Sequence, residues 1–168
     1  MPPTEPPALV LRPAEPSDVP ALADLYVAAR EAAVPAVPPL AHPPASVPGW
    51  LGGLVADDEH EVWLAEPAGP AGQPGPVEPV GLMVLTDTWL DQLYVLPGRT
   101  GEGIGSALLA LARSLRPGGL GLWVFQSNER AQRFYAAHGF VEVERTDGRD
   151  NEEREPDVRM VWRAEPST

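Results

Sequence analysis

The sequence predicts a mixed α/β fold, α+β-like in its order, in which strands pair early and βαβ-like units come late. Short apolar runs bounded by glycine and proline predict the strands, and three stretches with apolar residues at helical spacing predict helices. The chain has 168 residues and is 43% hydrophobic, which suits one globular domain. We expect that domain at residues 9–163, between a disordered proline-rich N-terminus (residues 1–8) and a short tail (residues 164–168).

The N-terminal part of the chain predicts one strand, one helix and a proline-rich loop. Residues 9–12 form the strand, which Pro13 closes. Ser17 or Asp18 can cap the helix, and apolar residues then recur at helical spacing. These apolar residues are Val19, Leu22, Ala23, Tyr26 and Ala29. Residues 35–48 hold six prolines and therefore predict a loop.

The middle of the chain predicts a short helix and three strands. Residues 50–55 favour the helix, although they include two glycines. Residues 62–65 and 80–85 predict strands that pair as a hairpin across a loop rich in glycine and proline at residues 67–79. Residues 90–96 predict the third of these strands.

The C-terminal part predicts two helices and three strands. The helices are marked by apolar stripes, Ile104, Leu108, Leu111 and Leu115 in one and Ala131, Phe134, Tyr135 and His138 in the other. Residues 120–125 predict a buried strand between them, and residues 140–143 and 158–162 predict the last two. The acidic stretch from Asp147 to Asp157 predicts a solvated connection, with the alternative that it borders a substrate groove.

Composition excludes several classes of chemistry. The chain has no cysteine, so disulfides, thiol nucleophiles and cysteine-ligated zinc are excluded. It has no lysine either, which excludes a P-loop and a Schiff-base enzyme. Its three histidines are scattered, so we expect no metal site. A net charge of −12 argues against a nucleic-acid partner. Without a long apolar run or a signal sequence, we expect no membrane association and a cytoplasmic location.

A glycine-rich turn at residues 100–106 follows one predicted strand directly and opens a helix. Gly101, Gly103 and Gly105 let the main chain adopt positive φ and approach a ligand closely. Unpaired N–H groups at the helix start then favour an anion. The turn therefore predicts a site for the phosphates of a large nucleotide-bearing cofactor.

Two other interpretations of this turn remain open. One is a tight turn that packs a helix against a strand with no ligand. The other is a dinucleotide-binding Rossmann turn, which is disfavoured because Ser106 stands where that motif has glycine or alanine. The motif also needs an acidic residue about 20 positions later, and none lies between Glu102 and Glu129.

Two segments resemble the GNAT superfamily, the Gcn5-related N-acetyltransferases. Residues 93–109 resemble its acetyl-CoA motif, in which an apolar strand and a proline precede Gln/Arg-x-x-Gly-x-Gly/Ala. Residues 128–140 resemble its later Asn…Ala…Phe-Tyr…Gly-Phe segment. The departure is Thr100, which stands where glutamine or arginine is usual, although the neighbouring Arg99 can compensate. The resemblance covers about residues 9–163.

The resemblance implies a GNAT fold, a central twisted mixed β-sheet with helices on both faces, and an acetyl-CoA-dependent N-acetyltransferase without a metal. The acetyl group moves from acetyl-CoA to a primary amine of a small molecule or a peptide. The implied cofactor-binding residues are Leu93, Val95, Thr100, Gly101, Gly103, Ile104, Gly105, Ser106, Asn128 and Tyr135. Oligomeric state, including a homodimer, stays open.

The resemblance also assigns roles in the reaction. The main-chain N–H of Val95 is expected to meet the acetyl oxygen. Tyr135 is the candidate general acid, with a core tyrosine as the alternative. Asn128 either contacts the pantetheine arm or caps the following helix.

The general base is predicted from strand parity. Asp91 shares that parity with Leu93 and Val95, so we expect all three side chains on one side of the strand. Asp87 and a relayed water are the alternatives to Asp91. For the whole protein, a non-catalytic acyl-CoA-binding or regulatory module is the main alternative, and a nicotinamide-dependent oxidoreductase is the third.

Overall fold

The computed structural model describes residues 8–69 and 78–165. Most of the predicted disordered N-terminus, part of the loop at residues 67–79 and the end of the tail lie outside these residues. Within the two described ranges, no helix is both long and apolar enough to cross a bilayer.

In the described part of the chain, seven strands form two antiparallel sheets. The first sheet has the order β1-β2-β3-β4, and the second has the order β5-β7-β6. The strands are β1 (Leu9–Pro13), β2 (Glu61–Pro67), β3 (Gly81–Leu85), β4 (Leu90–Val95), β5 (Leu120–Phe125), β6 (Val141–Thr146) and β7 (Asp157–Trp162). The predicted hairpin of β2 and β3 is confirmed.

The two sheets are joined by one parallel bridge between Trp89 and Gly121. The Gly121 N–H donates to the Thr88 carbonyl at 2.8 Å. A Cβ on Gly121 would lie 2.9 Å from the Trp89 ring, so glycine permits the approach. The Trp89 ring in turn stacks on Trp123, with centroids 6.4 Å apart. Beyond this bridge, the described residues form no ladder between β4 and β5.

Helices cover both faces of the first sheet. The helices are α1 (Val19–Ala32), α2 (Val47–Ala56), α3 (Ile104–Leu115) and α4 (Glu129–Ala137). One core cluster packs α1 and α2 on side chains of β2 and β3 such as Leu64 and Leu82. The other packs α3 on the opposite face, around Met83 and Leu108, and continues into the second sheet. The predicted fold class is confirmed.

The structure corrects three details of the sequence prediction. Helix α2 begins at Val47, inside the range predicted as a loop, because a proline is tolerated in a first helical turn. Strand β6 extends to Thr146. In β4, Leu90 pairs with Leu85 and Gln92 pairs with the adjacent Val84 of β3. Asp91 therefore has no partner of its own and is an extra, bulged residue.

The packing of β3 against α3 generates a stability prediction. A Cβ on Gly81 would lie 2.8 Å from Leu108 Cδ1 and 2.9 Å from Ile104 Cγ2. We expect Gly81→Ala to lower the free energy of unfolding by about 1–3 kcal/mol through overpacking. Gly53→Ala, in open space on α2, is the matched control and should stabilise by about 0.5–1 kcal/mol. Urea denaturation measures both, and equal effects would contradict the packing argument.

Candidate active site

The predicted phosphate site lies at the start of α3. Gly101 and Gly103 have φ of 82° and 85°, in the left-handed region that glycine favours. A Cβ on either residue would meet nothing within 4 Å, so the space in front of the turn is open. The Gly103 carbonyl accepts the first helical hydrogen bond, from the N–H of Ala107 at 3.0 Å.

The first-turn N–H groups are therefore available to a ligand. Within the described residues, no group accepts a hydrogen bond from the N–H of Ile104, Gly105 or Ser106, and no side chain caps α3. The positive end of the helix dipole lies at the same place. Together these groups can hold an anion without a side-chain cation.

The side chains around this turn are committed to other contacts. Thr100 is exposed. Arg99 Nε donates to Glu102 at 2.7 Å, so part of the guanidinium proposed to compensate for Thr100 is already paired within the turn. The Ser106 hydroxyl lies 3.2 Å from His138 Nε2, and His138 Nδ1 lies 2.7 Å from the Phe134 carbonyl. This contact ties α3 to α4.

The edge of β4 that faces β5 carries unpaired main-chain groups. Leu96 N–H donates to the Val80 carbonyl of the strand on the other side, at 2.9 Å. Main-chain groups alternate in direction along an antiparallel strand, so those of Tyr94 also face β3. Those of Leu93 and Val95 consequently point into the space between β4 and β5. The main-chain N–H of Val95, which was predicted to meet the acetyl oxygen, is therefore available to a ligand. The N–H of Leu93 is available in the same way.

Tyr135 lies beside this gap, on α4. Its ring packs against Phe134 and Phe140, with centroids 5.2 and 5.6 Å away. No hydrogen-bond partner for its hydroxyl lies within the described residues. Burial raises the pKa of Tyr135 above its ordinary value, with a further contribution from the neighbouring Tyr94. The phenol is therefore protonated at neutral pH, as a general acid must be, although its ring also contributes to the core.

Asn128 caps α4. Its side-chain oxygen accepts a hydrogen bond from the N–H of Ala131 at 3.2 Å. The capping interpretation is thereby confirmed. The Asn128 amide nitrogen takes no part in the cap and remains available for a pantetheine contact.

A cavity of about 590 Å³ opens on the α1–α2 side of β4. Its lining includes Asp91 and Gln92, whereas Leu93 and Val95 pack in the core on the opposite face. The prediction that the side chains of Asp91, Leu93 and Val95 lie on one side of the strand is wrong. The bulge turns the Asp91 side chain to the other face. Asp87 lies in the exposed turn before β4.

Asp91 has a histidine neighbour in this cavity. His60 Nε2 lies 3.6 Å from Asp91 Oδ2, and His60 Nδ1 lies 2.8 Å from Asp57 Oδ2. The Asp91 side chain is 38% exposed and that of His60 is 22% exposed. Burial raises the pKa of Asp91, and His60 partly offsets that rise when it is protonated. A carboxylate with a raised pKa is a better proton acceptor.

Arg30 forms the floor of the same cavity and is 5% exposed. It donates to the Tyr26 hydroxyl at 3.3 Å and to the Pro38 carbonyl at 3.1 Å. It also lies 3.7 Å from Glu153, which belongs to the acidic loop formed by residues 147–156. Next to it, burial raises the pKa of Tyr94 to about 12, so this phenol also stays protonated.

Sequence reasoning missed most of this cavity. His42 and His60 line it, and His138 contacts the α3 turn, so each of the three scattered histidines reaches the site. Glu152 and Glu153 line it too, so the acidic stretch is not merely a solvated connection. Spacing along the chain gives no signal for these contacts, since they join residues about 30 to 110 positions apart.

A family model, the acetyltransferase (GNAT) domain, matches residues 58–142, which is half of the chain. The chain belongs to the GNAT acetyltransferase family. The match includes the α3 turn, Asp91 and Tyr135 and leaves out α1 and α2. In this GNAT protein, the family pattern therefore lies in the segment that holds β4, the start of α3 and α4.

Two curated relatives match parts of this chain. Peptidyl-lysine N-acetyltransferase YjaB of Salmonella typhimurium is 35% identical over 85 residues, which cover 51% of this chain and 58% of that protein. The uncharacterized N-acetyltransferase Rv2669 of Mycobacterium tuberculosis is 48% identical over 58 residues, which cover 32% of this chain and 37% of that protein. The matched region thus spans less than two thirds of either relative.

Solved structures share the fold along nearly the whole chain. Arabidopsis thaliana NAA60, in complex with a bisubstrate analogue, has a TM-score of 0.71 at 18% identity and covers 95% of this chain and 100% of that one. PaiA N-acetyltransferase of Thermoplasma acidophilum, in complex with coenzyme A, has a TM-score of 0.67 at 18% identity. The match covers 93% of this chain and 99% of that one. At these identities the likeness establishes the fold alone.

The Asn128 cap yields a prediction that separates capping from ligand contact. Asn128→Ala should lower the free energy of unfolding by about 1 kcal/mol, because the N–H of Ala131 loses its acceptor. Asn128→Asp keeps the acceptor and should stay within a few tenths of a kcal/mol of the parent. Thermal denaturation without ligand measures both variants. Equal losses would contradict the capping role.

Proposed function

We propose that this GNAT protein transfers an acetyl group from acetyl-CoA to a primary amine by direct attack within a ternary complex. One observation carries the proposal: the unpaired edge of β4 lies between an anion-binding helix start and a cavity that holds Asp91. The cofactor side and the acceptor side thus meet at one strand. We further propose a cytoplasmic location without membrane or nucleic-acid partners, in keeping with the net charge of −12.

The cofactor would be held mainly by main-chain groups. The pyrophosphate fits the N–H groups of Ile104, Gly105 and Ser106. The pantetheine arm, an extended amide chain, fits the free edge at Leu93 and Val95 as an added strand would. The Asn128 amide nitrogen can donate to the same arm. Thr100 and the paired Arg99 contribute less.

The amine must lose a proton before it can attack the thioester carbonyl. An alkylamine has an ordinary pKa near 10, so at neutral pH a base has to take that proton. We assign this role to Asp91. His60 can accept the proton from Asp91 through a water or a small side-chain rotation, since 3.6 Å is longer than a direct hydrogen bond. Asp57, on the other side of His60, is partly exposed and leads to solvent.

The attack places negative charge on the acetyl oxygen and then releases a thiolate. The N–H of Val95, or that of Leu93, can donate to the oxygen from the strand edge. Tyr135 can donate its phenolic proton to the thiolate. The attacking nitrogen must still lose a second proton, and its transfer through water to the Tyr135 phenolate restores the phenol. The new amide bond, the broken thioester bond and these proton transfers together give an N-acetylated product and free CoA.

The Tyr135 assignment predicts a loss of turnover without a loss of cofactor binding. Tyr135→Phe removes the proton donor but keeps the ring in the core, so we expect kcat to fall about 100-fold or more. Release of free thiol measures kcat, and calorimetry with acetyl-CoA measures binding, which should stay within about threefold. Parent-like turnover in this variant would remove Tyr135 from the mechanism. Binding of acetyl-CoA by the parent without turnover of any amine would favour the non-catalytic module.

The Asp91 assignment predicts a change in the pH profile. Asp91 acts as a base only when deprotonated, so kcat/KM for the amine should fall as pH drops through its pKa, which burial places above the ordinary value for aspartate. Asp91→Asn should remove this acid limb, lower kcat/KM and leave only the ionisation of the amine itself. Asp87→Asn is the matched control and should leave the profile unchanged. An identical profile for parent and Asp91→Asn would exclude Asp91 as the base.

A further inference from the structure

We infer that the acceptor of this GNAT protein is a small free amine that carries no anionic group, and not a lysine within a polypeptide. The inference rests on the proposed function. It follows from contacts that close the rim of the acceptor cavity, from the aromatic walls of that cavity and from its charges.

Two connections meet across the rim of the cavity, through His42 and Glu152, whose side chains are 65% and 67% exposed. One is the α1–α2 connection, residues 33–46, and the other is the acidic loop, residues 147–156. His42 Nε2 lies 2.8 Å from Glu152 Oε1, which joins their tips. A polypeptide running between the two connections would have to separate them.

A buried ion pair holds the acidic loop in this position. Glu153 is 17% exposed and lies 3.7 Å from the guanidinium of Arg30, which is 5% exposed. Moving the loop away would leave that guanidinium buried without its carboxylate, which is costly. The closed arrangement is therefore favoured over one that admits an extended chain.

The space that remains suits a small ligand with an apolar body. A volume of about 590 Å³ falls within the range of small-molecule sites. Trp50 is 40% exposed although it lines the cavity, and its ring meets that of Tyr26 at 49° with centroids 5.1 Å apart. The two rings form a corner that an aromatic or alkyl group, or a cation, can contact.

The charges of the cavity disfavour an anionic acceptor. Among the described residues, three carboxylates line it, those of Asp91, Glu152 and Glu153, together with the guanidinium of Arg30 and the imidazoles of His42 and His60, each of which lies beside a carboxylate. Arg30 is already engaged by Tyr26, Pro38 and Glu153. An ammonium group is attracted to this set, whereas the carboxylate of an amino acid would be repelled.

The first experiment compares three acceptors of matched chemistry with acetyl-CoA, following thiol release. They are 2-phenylethylamine, phenylalanine and a short neutral-capped lysine peptide. We expect kcat/KM for 2-phenylethylamine to exceed that for phenylalanine and that for the peptide at least about tenfold each. Equal or better turnover of phenylalanine or of the peptide would overturn the inference and leave the proposed acetyl transfer intact. Turnover of none of the three, nor of any amine in a wider panel, would overturn both.

Two variants test the structural reasons. Trp50→Ala should raise KM for 2-phenylethylamine about tenfold with little change in kcat. Val143→Ala, which truncates an exposed apolar side chain outside this cavity, is the control and should leave KM unchanged. Glu153→Gln removes the carboxylate that pairs with Arg30. The ratio of kcat/KM for 2-phenylethylamine to kcat/KM for the peptide should therefore fall several-fold. A parent-like preference in Glu153→Gln, or equal KM effects of Trp50→Ala and Val143→Ala, would contradict the inference.

Discussion

The single parallel bridge between Trp89 and Gly121 is the constraint on which the site depends. It brings β4 and β5 together at their starts, and beyond it the described residues of the two strands form no ladder. Full pairing along both strands would have consumed the main-chain groups of Leu93 and Val95. The gap instead leaves these groups unpaired beside the start of α3 and beside Tyr135. The fold thus provides hydrogen-bonding groups without functional side chains, which suits a chain that has no lysine.

The proposed acceptor side is organised by side chains. Arg30 joins α1, the α1–α2 connection and the acidic loop, and the bulge at Asp91 turns a carboxylate toward the same cavity. The two sides of β4 therefore differ in kind. One depends on backbone geometry set by glycines, and the other depends on the identity of individual charged and aromatic residues.

This difference explains how much of the molecule the sequence could predict. The glycine turn and the Asn128 cap are local, since spacing of a few residues determines the backbone there. Element order and the β2–β3 hairpin also follow from local patterns. The cavity does not, because Arg30, His60 and Glu153 come from distant segments. The predicted direction of the Asp91 side chain was wrong for a related reason. One extra residue in β4 reverses that direction, and the sequence of β4 gives no sign of the bulge.

The stacked rings of Trp89 and Trp123 lie at the joint between the two sheets, with planes within 8° of parallel. Two indoles at such a separation couple their electronic transitions, so their ultraviolet circular dichroism depends on their mutual orientation. Any ligand that widens or narrows the gap between β4 and β5 changes the angle between the sheets at this joint. The protein therefore carries an intrinsic optical reporter of that angle, without an attached dye.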